Sequence, residues 1–111
     1  MIEVNLKEGM PTVAEAISRL TRELALACQR GDRAIKLIHG YGSTGTGGAI
    51  RIAVQARLVE MASRAEIKAC IFGEDWRKSD ARTWELLRAH PELKADPHLG
   101  GKNPGITIVL L

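Results

Sequence analysis

Between Ala34 and Gly48 the chain reads AIKLIHGYGSTGTGG, and that order leaves few architectures open. Ile35 to Ile38 is a short apolar run of the kind that forms a buried strand. His39 stands at its end, and Gly40, Gly42, Gly45, Gly47 and Gly48 follow. An amphipathic pattern then runs from Ala49 to about Ala62, with Ile50, Val54, Leu58 and Met61 on one stripe and Arg51, Gln55 and Arg57 on the other side. Strand, glycine loop and helix together make an anion site. Glycine lets the backbone turn sharply and come close to a ligand. The first N–H groups of the helix are unpaired and carry the positive end of its dipole. His39 adds a side chain whose charge changes near neutral pH.

The flanks build a domain around this run. Ile2, Val4 and Leu6 alternate with Glu3 and Asn5, the pattern of a strand with one buried face. Thr12 and Glu15 form a capping box, and Val13, Ala16, Ile17, Leu20, Leu24 and Ala27 or Cys28 recur at helical spacing until Gly31 stops the helix. Ile67 to Phe72 reads as a third strand. Asp80 to Ala89 reads as a short helix capped by Ser79 and stopped before Pro91, with Trp84 and Leu87 on its apolar side. A Pro/Gly/Asp loop carrying His98 leads to Ile106–Leu111, a nearly continuous apolar run that predicts a strand buried on both faces. The sum is a single α/β domain over residues 1–111, a two-layer βαβαβ(α)β sandwich whose mixed, mostly parallel sheet carries packed helices.

Composition narrows the functional classes. A formal charge of +3 permits a polyanionic partner without demanding one. Cys28 and Cys70 have no ligand spacing and read as two small buried hydrophobes in a reducing compartment. The start lacks the basic and apolar regions of a signal peptide, and no segment approaches the roughly 18 apolar residues of a membrane span. A soluble, cytoplasmic protein without a membrane partner is expected.

Residues Gly40 to Gly45 fit G-x-G-x-x-G, the dinucleotide fingerprint, but the acidic residue expected about 20 positions on is missing, since Glu74 and Asp75 come too late. The absence of Gly-Lys-[Ser/Thr] excludes a P-loop. The better match is to a family. His39-Gly40-Tyr41-Gly42-Ser43, followed by Gly45, Gly47-Gly48-Ala49-Ile50-Arg51 and Val54, resembles the His-Gly-x-Gly block of the small MutS-related (Smr) domain. Val4-Asn5-Leu6-Lys7 with Gly9-Met10 and Thr12-Val13 is similar to its opening strand and first helix, and Gly100-Gly101 through Gly105-Ile106-Thr107-Ile108-Val109 to its closing turn and strand. Residues 73–97 look like an insertion into that pattern.

The resemblance implies a domain that binds DNA or RNA and an association with endonuclease activity, hydrolysis of a phosphodiester. The family's opening motif is Leu-Asp-Leu-His-Gly, and its acid and histidine are among the residues implicated in cleavage. Here Asn5 and Lys7 take their places; Asn cannot titrate, and an ordinary Lys stays protonated. His39 remains as the catalytic candidate, for simple acid–base or divalent-metal-assisted hydrolysis. Lys7, Gly40, Gly42, Ser43, Gly45, Gly47, Gly48 and Arg51 are the candidate phosphate-binding residues. His39 has an alternative duty, holding the loop by hydrogen bonds. Trp76 with Arg77 and Lys78 either stacks on single strands or tucks into the core. His90 and His98 read as surface residues, and no spacing supports a metal site from His98, Asp96 and His39. The competing class is a non-catalytic interaction or homodimer domain that uses Trp76 and Trp84 of segment 73–97.

Overall fold

The structure is a computed structural model that describes residues 1–41 and 46–111. Its elements run β1 (Ile2–Asn5), α1 (Val13–Arg30), β2 (Ala34–Ile38), α2 (Thr46–Ser63), β3 (Ala69–Phe72), α3 (Ala81–Ala89) and β4 (Ile106–Leu110), with 3-10 turns at Gly73–Asp75 and Pro91–Ala95. Local chemistry sets several of the boundaries. Thr12 and Glu15 close the expected capping box on α1, and Gly31 ends that helix at φ +77°, a conformation open to glycine at little cost. Asp80, not Ser79, caps α3 by accepting from the Thr83 N–H at 3.0 Å. Helix α2 begins at Thr46, so Gly47 and Gly48 lie inside its first turn and not in the loop before it.

The strand order is β1-β2-β4-β3. β1 and β2 are parallel; β4 runs against both β2 and β3, so three strands point one way and the last strand of the chain is inserted between them. That inserted strand is the apolar run at the end of the sequence, and its central place explains why it is buried on both faces.

Both faces of the sheet are covered, which exceeds the two-layer expectation. On one, Val4, Ile35, Leu37, Cys70 and Val109 pack under α1 and α2, against Ala16, Leu20, Leu24, Ile50, Val54 and Leu58. On the other, Ile71, Ile106 and Ile108 pack against Trp76, Leu86, Leu87 and Leu93. Trp76 is wholly buried, so it serves the core and offers no stacking surface. The buried side of α3 is Thr83, Leu86 and Leu87, while Trp84 remains 48% exposed. Cys28 is exposed and only Cys70 is buried; burial raises the Cys70 thiol pKa, partly offset by Arg82.

The second face also buries a charge. Lys36 points into it with no exposure, because β2 alternates and Ile35 and Leu37 take the helix side. Its ammonium donates to Asp96 Oδ1 at 2.5 Å, His98 Nδ1 at 2.8 Å and Glu3 Oε1 at 3.4 Å. Asp96 Oδ2 in turn accepts the Trp76 indole N–H at 2.9 Å. Burial pushes the Asp96 carboxyl up, but the bonds from Lys36 and Trp76 outweigh it and hold it below the usual range. His98 is therefore half-buried and structural, not a surface residue.

Candidate functional site

Parallel pairing of β1 and β2 brings their C-terminal ends to one edge of the sheet, and antiparallel β4 begins at the same edge, with Ile38 opposite Ile106. The Leu6 N–H extends the ladder to the Ile38 carbonyl at 2.8 Å. Beyond it the Asn5 side chain turns the chain by accepting the Lys7 N–H at 3.0 Å. Asn5 thus serves the turn. Lys7 is exposed, and its Cδ lies 3.4 Å from where a Cβ at Gly40 would stand. Gly40 takes φ +73°, which a side chain would strain, and the lysine stem lies against that bare position.

The next contact fixes the loop to β4. The Gly105 carbonyl accepts both the His39 N–H, at 3.0 Å, and the Gly40 N–H, at 3.1 Å. The His39 ring is fully buried. Its Nδ1 lies 2.7 Å from the Gly40 carbonyl and its Nε2 2.9 Å from Thr107 Oγ1. A carbonyl can only accept, so Nδ1 carries the proton and donates, and the Thr107 hydroxyl donates to Nε2. Burial lowers the His39 pKa; the Gly40 carbonyl opposes this, the charge of Arg51 adds to it, and Glu74 opposes it. At neutral pH the ring is uncharged, with both nitrogens engaged.

Arg51 lies one turn into α2, close enough for its charge to act on His39. Its Nε is buried without a hydrogen-bond partner among the described residues, and so is Nε2 of Gln55 one turn further along. No acidic residue lies in the first turn of α2 to offset its dipole. The structure therefore brings Lys7, Gly40, His39 and Arg51 to one corner, with Gly47 and Gly48 in the adjoining helix start. Gly42, Ser43 and Gly45 lie outside the described residues. Asp96 and His98 lie with Lys36 on the second face, apart from His39. Among the described residues no three His, Cys, Asp or Glu side chains gather as a metal site. Two partners escaped sequence reasoning: Gly105, and Thr107, whose only signal was a hydroxyl in an apolar strand.

A model of the Smr domain family matches residues 8–111. The chain belongs to the Smr domain family, which is known for nucleic-acid binding and nuclease activity. The match starts at residue 8, just past Asn5 and Lys7. The fold is similar to that in the crystal structure of the Smr domain of Thermus thermophilus MutS2, with a TM-score of 0.62 at 24% identity over 100% of this chain and 98% of that one. No curated protein gives a match. Among the described residues no helix is long and apolar enough to cross a membrane.

Proposed function

We propose that this Smr domain binds DNA or RNA through its phosphates, at the corner where β1, β2 and β4 meet the start of α2, and that it does not cleave what it binds. The observation that carries the reading is the Arg51 Nε–H, buried beside His39 without a described acceptor. A buried donor left unpaired is costly, and a phosphate oxygen would satisfy it. Lys7 would add a point charge, and the bare Gly40 backbone and the first N–H groups of α2 would admit the anion closely. Gly42, Ser43, Gly45, Gly47 and Gly48 belong to the same cradle in this reading. His39 is a positioning residue here: a neutral, buried ring whose two nitrogens hold Gly40 and Thr107 is poorly placed to take a proton from water. Two free cysteines fit a cytoplasmic setting, and we read residues 73–97 as an insertion that closes the second face of the sheet.

Binding titrations at two salt concentrations, beside a nuclease assay on nicked, branched and single-stranded substrates, test this. The expected result is salt-dependent binding without cleavage; cleavage lost in a His39→Gln variant that remains folded would return His39 to catalysis. A second reading is favoured by Trp84, 48% exposed on α3: a homodimer or interaction surface. A dimer in light scattering that Trp84→Ala breaks, with no nucleic-acid affinity at low salt, would establish that reading instead.

A further inference from the structure

We infer that Tyr41 is a stacking platform for one unpaired base, which makes the preferred ligand a single-stranded or locally opened nucleic acid; this rests on the phosphate-binding reading above. The chain has four aromatic side chains, Tyr41, Phe72, Trp76 and Trp84. Trp76 belongs to the core, Phe72 is partly buried and Trp84 lies on α3. Tyr41 alone stands at the phosphate-binding corner, and it is 57% exposed.

Its exposure comes with fixed placement. The preceding Gly40 is held by its N–H to the Gly105 carbonyl at 3.1 Å. The ring edge, at Cδ1, lies 3.3 Å from where a Cβ on Gly105 would stand, so the ring lies close against the Gly105 backbone, where a side chain would be tight. Asn103 Oδ1 holds the N–H of that same Gly105 at 2.8 Å. One edge is therefore seated while much of the ring meets solvent. Burying that ring against a second apolar surface costs little side-chain entropy, because a seated tyrosine has few rotamers left to lose.

The surroundings select the kind of apolar surface. Lys7 lies over Gly40, one residue before the ring, and exposed Lys102 precedes the Asn103–Gly105 turn that seats it. An aromatic face beside cations suits a ligand that offers a flat base and a phosphate one nucleotide apart. A closed duplex cannot supply that base, since its faces are already stacked on their neighbours. An apolar protein segment would use the ring but not the cations.

The test is fluorescence anisotropy of a labelled oligothymidylate and of a labelled blunt duplex of equal length, with the full chain and three variants. Tyr41→Ala should weaken oligothymidylate binding about tenfold or more and duplex binding by less than about twofold, given the usual worth of one base–aromatic stack. Tyr41→Phe should bind like the parent, because it keeps the face. Lys7→Gln should weaken both ligands. If Lys7→Gln weakens both while Tyr41→Ala changes neither, stacking is wrong and the phosphate reading stands. Equal losses on both ligands in Tyr41→Ala would mean that the ring props the loop, which also overturns stacking. If the parent binds neither ligand, the phosphate reading fails and stacking goes with it.

Discussion

Lys36 lies on β2 and Lys7 just past the end of its parallel partner β1, yet they do opposite things. Lys36 is sealed into the second face, where Asp96, His98 and Glu3 accept from its ammonium. Lys7 stands at the strand ends, exposed, with no ion pair among the described residues. Asp96 and the rest of the first cluster satisfy one another, down to the Trp76 indole. Arg51 at the second site holds a buried donor that nothing described accepts. The histidines divide similarly: His98 accepts from an ammonium, and His39 ties the loop to β4. A closed polar network helps hold a fold together, and the Arg51 donor has no such partner among the described residues.

The difference can be broken at either end. The largest effect is expected from Asp96→Ala, which removes the shortest of the buried ammonium's three acceptors and the partner of the Trp76 indole: a loss of about 3–5 kcal/mol in urea denaturation. Thr107→Val removes the hydroxyl that donates to His39 Nε2 and should cost about 1–3 kcal/mol by the same assay. His39 also predicts a pH dependence. Its folded pKa is below the ordinary 6.5, so the unfolded chain takes up a proton first as pH falls. Stability should be full above that value, decline as pH drops below it, and stop declining on this account once the folded-state pKa is passed. His39→Gln should flatten that window in a series of denaturation curves. Lys7→Gln should shift stability by no more than about 0.5 kcal/mol, as an exposed side chain outside any network.

The sequence made one of these regions more legible than the other. The capping box at Thr12 and Glu15, the Gly31 stop and the buried last strand follow from local chemistry, and the structure keeps them. The corner was legible because His39 and the glycines are contiguous. The Lys36 cluster was not, because a lysine within a strand reads as solvent-facing until something covers it. Its cover comes from residues 60 or more positions away, Asp96 and His98. The start of α2 was misplaced because paired glycines read as helix breakers. On α3, Thr83, Leu86 and Leu87 also form a helical stripe, and only packing decides that Trp84 is turned outward.

In the proposed reading, the corner at Lys7, Gly40 and Arg51 takes phosphate. Its most direct test is the salt dependence of nucleic-acid affinity for the parent chain and for Lys7→Gln. Log K should fall linearly with log salt, with a slope shallower by about one in the variant. Affinity indifferent to salt, or a slope that Lys7→Gln leaves unchanged, would contradict it.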